Sequence, residues 1–295
     1  MIGSKYLIVP DRRRRWLAGL ARITRAQNLV MLALTQYFTA YFLVDVHASR
    51  RAYLLDADLF LLVLSTVMIA AAGYMINDYY DVKIDFINKP QRVVVGTVLR
   101  RRIVIAAHVI LTATGILSGT YLSWKVGLIH ASAAFLLWWY SNQLKRYPFV
   151  GNLSIALLSG LAIAVIGLYY RQHQFLVLTY AVFAFSISLL REIIKDMEDV
   201  PGDEAFGCQT LPIVWGISRT KTLLYTLSGF FIFLLFFLSG TLGNSVLITY
   251  FLLLIIPIAY FITKLVYADT QRDYAYLSSF CKLLMLSGIL SMVFF

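Results

Sequence analysis

Six of the chain's 15 acidic residues fall into two copies of one spacing. Asp78, Asp81 and Asp85 follow Asn77 in the run NDYYDVKID, and Asp196, Asp199 and Asp203 repeat the pattern in DMEDVPGD. Positions i, i+3 and i+7 of an α-helix lie within an arc of about 60°, so each set gathers three carboxylates on one face. Like charges stacked this way repel one another unless a cation lies between them. Magnesium suits such a site, because it takes oxygen ligands, keeps several waters and bridges carboxylates to substrate phosphates. All six aspartates are therefore candidate metal ligands and catalytic residues. Pro201-Gly202 interrupts the second copy, so Asp203 is expected to reach the site from a loop.

A single acidic helix end is commonly no more than solvated. Two matching sets are different, because their repetition suggests two half-sites facing one another across a bundle. Basic residues accompany both. Asn88-Lys89-Pro90-Gln91-Arg92 follows the first set, Lys145-Arg146 lies between the two, and Arg191 and Lys195 precede the second. A diphosphate leaving group gains negative charge as its carbon–oxygen bond breaks, so it needs metal on some oxygens and Lys or Arg on the others. Lys89, Arg92, Lys145 and Lys195 are the candidates nearest the acidic sets.

The elements that must hold these residues are membrane helices. Of 295 residues, 60% are hydrophobic and 14% charged, with a mean hydropathy of +0.76, too apolar for a soluble domain of ordinary composition. Apolar segments of spanning length are centred on 28–44, 59–77, 103–123, 127–141, 152–169, 176–194, 222–240, 246–264 and 279–295. They lack the period-two alternation of a membrane barrel, so the expected fold is an all-helical bundle of nine spans with the aspartates at the ends of the second and sixth. Residues 1–27, with Arg12 to Arg15 ahead of Trp16, Leu17, Leu20 and Ile23, read as a retained amphipathic interfacial segment. Residues 28–295 then form a single transmembrane domain.

The net charge of +11 is explained by where the charge falls. Of the 26 Lys and Arg residues, 22 lie on the side of the N-terminus; Arg50, Arg51, Lys125 and Arg171 lie on the other. That asymmetry places the N-terminus and both acidic sets at the cytoplasmic face and points to anionic lipid rather than nucleic acid as partner. Cys208 and Cys281 have no ligand or disulfide spacing, and His47, His108, His130 and His173 are scattered, so neither zinc nor haem is expected. Most aromatic residues are expected to pack or to face lipid.

The first acidic set with its Asn-Lys-Pro-Gln-Arg tail, the second set, and Tyr140 with Lys145-Arg146 after the fourth span resemble the UbiA superfamily of intramembrane prenyltransferases. The resemblance covers nearly the whole chain, and Val93, where many relatives carry Pro, is one departure from it. It implies a bundle around a central cavity, a magnesium-bound isoprenyl diphosphate donor and a lipophilic acceptor. It also implies that Asn77 belongs to the first motif, that Asn28 enters the cavity from the first span, and that Tyr140 and Lys145 lie near the diphosphate. An allylic cation or loose ion pair would be captured by the acceptor, with Asp85 or Asp203 available to take its proton. The run from Arg191 to Asp199, followed by GCQTLP at 207–212, is similar to members that alkylate geranylgeranylglyceryl phosphate. An aromatic quinone precursor is the alternative acceptor. A secondary transporter is the alternative class, against which stands the placement of both acidic sets at one face rather than at the midplane.

Overall fold

The computed structural model describes residues 12–44, 55–243 and 245–295. Residues 1–11, residues 45–54 with Arg50 and Arg51 among them, and residue 244 lie outside the described residues. What is described is almost wholly helical: α1 (Arg12–Ile23), α2 (Ala26–Phe38) with a π-helical extension (Thr39–Val44), α3 (Ala57–Asn88), α4 (Arg101–Leu122), α5 (Trp124–Asn142), α6 (Val150–Tyr170), α7 (Gln174–Ala205), α8 (Leu211–Trp215), α9 (Ile217–Leu242), α10 (Ser245–Tyr267) and α11 (Gln271–Ser291).

Local chemistry sets the helix ends. Asp56 caps α3 by accepting from the Asp58 N–H at 3.0 Å, and Ser123 is both the end of α4 and the cap of α5. Thr270 and Asp273 form a reciprocal capping box at the start of α11. Such caps satisfy amide groups that a bilayer would not. At the end of the bundle remote from the aspartates, the Tyr169 hydroxyl donates to Asp58 at 2.7 Å and the Tyr170 hydroxyl to Asp56 at 2.5 Å. These bonds tie α6 to the start of α3.

Each of the nine predicted spans coincides with a helix. Seven, α3, α4, α6, α7, α9, α10 and α11, are long and apolar enough to cross a membrane, and the protein is an integral membrane protein. The predicted first and fourth spans correspond to α2 with its π-helical extension and to α5, which fall short by that measure. The seven divide by environment. Helices α3 and α7 are mostly buried within the protein, whereas α4, α9 and α10 present largely exposed apolar surface, including Leu117, Ile110, Phe233, Leu253 and Ile256. In a bilayer such surface meets lipid at no cost.

Helices α3 and α7 are each 32 residues long, about 48 Å, against a hydrocarbon core of about 30 Å. The excess length carries the acidic sets. One expectation fails here: α7 does not break at Pro201 but runs through it to Ala205. Proline removes a helical N–H and displaces its neighbours' bonding, and Asn88 at the end of α3 bonds the backbone on both sides of it. Its Oδ1 accepts from the Gly202 N–H at 2.8 Å, and its Nδ2 donates to the Asp199 carbonyl at 3.0 Å. Gly202 is required for this approach, since a Cβ there would lie 2.4 Å from the Asn88 amide nitrogen. Asp203 therefore stays in helical register with Asp196 and Asp199.

Candidate active site at the mouth of a central cavity

The two acidic helix ends meet through side chains of the opposite charge. Lys89, just past the end of α3, bridges to Asp199 at 2.7 Å and Glu198 at 3.0 Å on α7. Burial disfavours its ammonium, but Asp199 and Glu198 outweigh that and hold its pKa above the ordinary lysine value. Lys145, on the short turn after α5, pairs with Asp81. Arg25 donates to Asp78 and to Asn77 Oδ1, both at 3.2 Å. Burial opposes its charge as well, yet Asp78 raises its pKa above the ordinary value. Arg25 adopts left-handed backbone geometry, φ 50°, between α1 and α2, and its guanidinium lies 4.8 Å from the centroid of Tyr74. This turn aims the side chain at α3.

Asp196 accepts from Asn152 Nδ2 at 2.8 Å, whereas Asp85 and Asp203 carry no ion pair among the described residues. The two sets are near enough for their like charges to repel across the gap, Asp85 against Asp199 and Asp203 against Asp81. Among the described residues, no group of three His, Cys, Asp or Glu side chains is placed to hold a metal alone. The donor set nonetheless fits magnesium, being all oxygen and distributed over two facing helix ends. Such an ion completes its shell with phosphate oxygens and water.

Beneath the acidic ends lies a cavity of about 330 Å³. Its walls are mostly apolar, with Leu32, Ile69, Ile155, Phe183, Leu235 and Met285 among them. On α3 the lining residues run from Thr66 to Asn77 and on α7 from Tyr180 to Lys195, about 16 and 22 Å along the helices. Asn28, Asn77, Tyr140 and Lys195, anticipated from the sequence, all line it. None of the six aspartates does; they stand at its polar end with Lys89 and Lys145. Arg92 is exposed in a 3₁₀ turn, and its side chain makes no hydrogen bond or ion pair among the described residues.

Several residues around the site were not singled out from the sequence. Arg25, three positions before Asn28, sits in the turn that starts α2, and no periodicity marked it. Glu192, bonded to Arg191 and Lys195 at 2.8 Å each, and Asn152 carried no spacing signal. Lys282 had the clearest one. It sits in the middle of α11, lines the cavity and donates to Asn28 Oδ1 at 3.1 Å. An ionisable residue inside a membrane helix is by default a functional candidate.

The chain resembles known proteins in both sequence and fold. A digeranylgeranylglyceryl phosphate synthase of Methanothermobacter thermautotrophicus is 38% identical over 162 residues, covering 54% of this chain and 57% of that relative. The chain thus spans little more than half the length of that relative. A solved structure concerned with digeranylgeranylglyceryl phosphate synthase in membranes superposes with a TM-score of 0.69 at 23% identity, over 94% of this chain and 97% of the other. A UbiA homolog from Archaeoglobus fulgidus bound to GPP and Mg2+ gives 0.64 at 15% identity, over 93% and 99%. Residues 26–286 match the UbiA prenyltransferase family, and with paired aspartate sets at the polar end of an apolar cavity the chain belongs to that family.

Proposed function

We propose that this protein transfers a prenyl group from an isoprenyl diphosphate to geranylgeranylglyceryl phosphate, with magnesium held between the two aspartate sets. The observation that carries the reading is the joining of those sets, through Asn88 and Lys89, at the end of a cavity otherwise lined by apolar side chains. The names of the sequence relatives support the acceptor, and the GPP and Mg2+ bound by the Archaeoglobus fulgidus homolog support the donor and the metal.

Asp78, Asp81 and Asp85 would hold metal from one side, and Asp196, Asp199 and Asp203 from the other. When bound, magnesium supplies neutralisation of the diphosphate as the C1–oxygen bond breaks. Lys145 and Lys89 have spare N–H donors that can turn from Asp81 and Asp199 to the diphosphate oxygens, with Lys195 and Tyr140 bordering the same space. The apolar walls hold the prenyl tail and keep out water that would quench an allylic cation. The acceptor hydroxyl forms the new C1–oxygen bond as the C1–diphosphate bond breaks, and its proton goes to Asp85 or Asp203, which have neither a cation nor the amide bond that holds Asp196.

In this reading the bundle has nine spans, α2 and α5 included, forming one domain over 28–295 behind an interfacial segment at 1–27. The charge asymmetry supports a cytoplasmic N-terminus and a site near the cytoplasmic face. The test is magnesium-dependent release of diphosphate from geranylgeranyl diphosphate by the purified full chain, with geranylgeranylglyceryl phosphate or 4-hydroxybenzoate offered separately. Turnover is expected with the former only, and Asp78→Ala and Asp196→Ala should each lower it by about 10³-fold or more. Turnover with 4-hydroxybenzoate would transfer the reading to an aromatic acceptor, and absence of diphosphate binding would sink it.

A further inference from the structure

The charge inside the cavity is of the opposite kind to the charge at its mouth. Arg25, Arg191, Lys195 and Lys282 line it, and Glu192 is the one acidic residue among the lining side chains. Three of the four cations have an ion pair, two of them with the same carboxylate. Arg25 pairs with Asp78, and Lys195 bonds Glu192. Arg191 shares Glu192 through Nη1, but its Nε–H is buried with no hydrogen-bond partner. Lys282 has no ion pair among the described residues; its ammonium donates to the amide oxygen of Asn28, which leaves two donors unassigned. Arg25, Arg191, Lys195 and Arg92 all lie within electrostatic reach of Lys282 and all carry its own sign.

A buried donor without a partner and an unpaired cation among like charges are both costly in an apolar surround, and a ligand supplying negative oxygens relieves both at once. The ligand cannot be a metal, which these groups repel. We propose that Lys282 and Arg191 form an anion subsite, separate from the aspartate sets, that receives the phosphate monoester of the lipid acceptor and so selects a phosphorylated lipid over its neutral alcohol. The inference rests on the prenyl-transfer reading and adds to it the residues that recognise the acceptor's headgroup. Arg191, whose guanidinium offers a planar fork of donors, suits phosphate oxygens directly. Lys282 reaches the same space from α11, held in place by Asn28 on α2. The shared chemistry is a phosphate group, and the donor's diphosphate is the other source of one.

The experiment separates the two sources. Equilibrium binding to the full chain in detergent micelles is measured for geranylgeranylglyceryl phosphate, for dephosphorylated geranylgeranylglycerol and for geranylgeranyl diphosphate, with wild type, Lys282→Met, Lys282→Arg and Arg191→Gln. The wild type should bind the phosphorylated acceptor about 30-fold more tightly than the alcohol. Lys282→Met and Arg191→Gln should erase most of that ratio, and Lys282→Arg should restore a substantial part of it. In steady-state kinetics the same changes should appear in the acceptor's KM rather than the donor's. Binding needs no turnover, so a chain that binds phosphorylated lipid through Lys282 yet transfers nothing would retain the subsite while the activity reading fails. Turnover with an acceptor ratio that Lys282→Met leaves intact would overturn the subsite alone. A variant effect on geranylgeranyl diphosphate instead of the acceptor would reassign both cations to the donor and overturn the proposal as well.

Discussion

The mouth of the cavity and its interior solve opposite electrostatic problems with residues only a few helical turns apart. At the mouth, carboxylates are in excess, and Arg25, Lys89 and Lys145 each neutralise one of them. In the interior, cations are in excess and Glu192 is shared between two of them. The mouth is thus built to accept further positive charge and the interior further negative charge. Two anionic substrates would bind side by side without competing, because one requires metal and the other does not. Arg25 belongs to both regions, since it lines the cavity while bonding the first acidic set.

Removing divalent metal should break the symmetry most severely. Chelation is expected to abolish diphosphate release while changing the affinity for phosphorylated acceptor by less than about threefold, and magnesium should restore the former. A smaller separation is expected from single cations. Lys145→Met unpairs a half-buried Asp81 and should lower kcat/KM for the donor by about 100-fold, measured at saturating acceptor. Combining it with Lys282→Met should give nearly the product of the separate effects if mouth and interior are independent sites. Coupling beyond about twofold would merge them.

The structural join between the two acidic helices can be tested without chemistry. Asn88→Ala removes two hydrogen bonds and should lower unfolding free energy in detergent by about 2 kcal/mol, with a parallel loss of magnesium affinity. The smallest effect is expected from Arg92→Ala. Its exposed side chain should alter stability by less than about 0.5 kcal/mol, and a fall in donor affinity of tenfold or more would place it back among the diphosphate ligands.

Hydropathy and spacing disclosed the helices and the acidic sets because those signals are local. Period 3.6 with three aspartates in register needs no knowledge of the partner helix, and α3 and α7 carry both signals within one segment. The continuation of α7 past Pro201 was not legible, because the bonds that brace the helix on both sides of it come from Asn88, 114 positions distant from Gly202. Lys282 was passed over for a related reason. A single lysine near the end of a chain looks like a topology signal until the start of α11 at Gln271 shows how deep it lies. The pairing of Asp196 with Asn152 likewise joins two helices whose contact no periodicity announces.

The carboxamide of Asn88 has a mechanical meaning as well. Membrane helices tilt to match the thickness of the bilayer around them, and a site shared between two long helices would ordinarily widen or narrow as they do. Here α3 and α7 are pinned to one another at the end that carries the aspartates, by two hydrogen bonds from one side chain. A change of tilt that preserved these two bonds would move the opposite ends of the helices more than the aspartates. A membrane protein joined in this way can keep the spacing of its two acidic sets when the thickness of the surrounding bilayer changes.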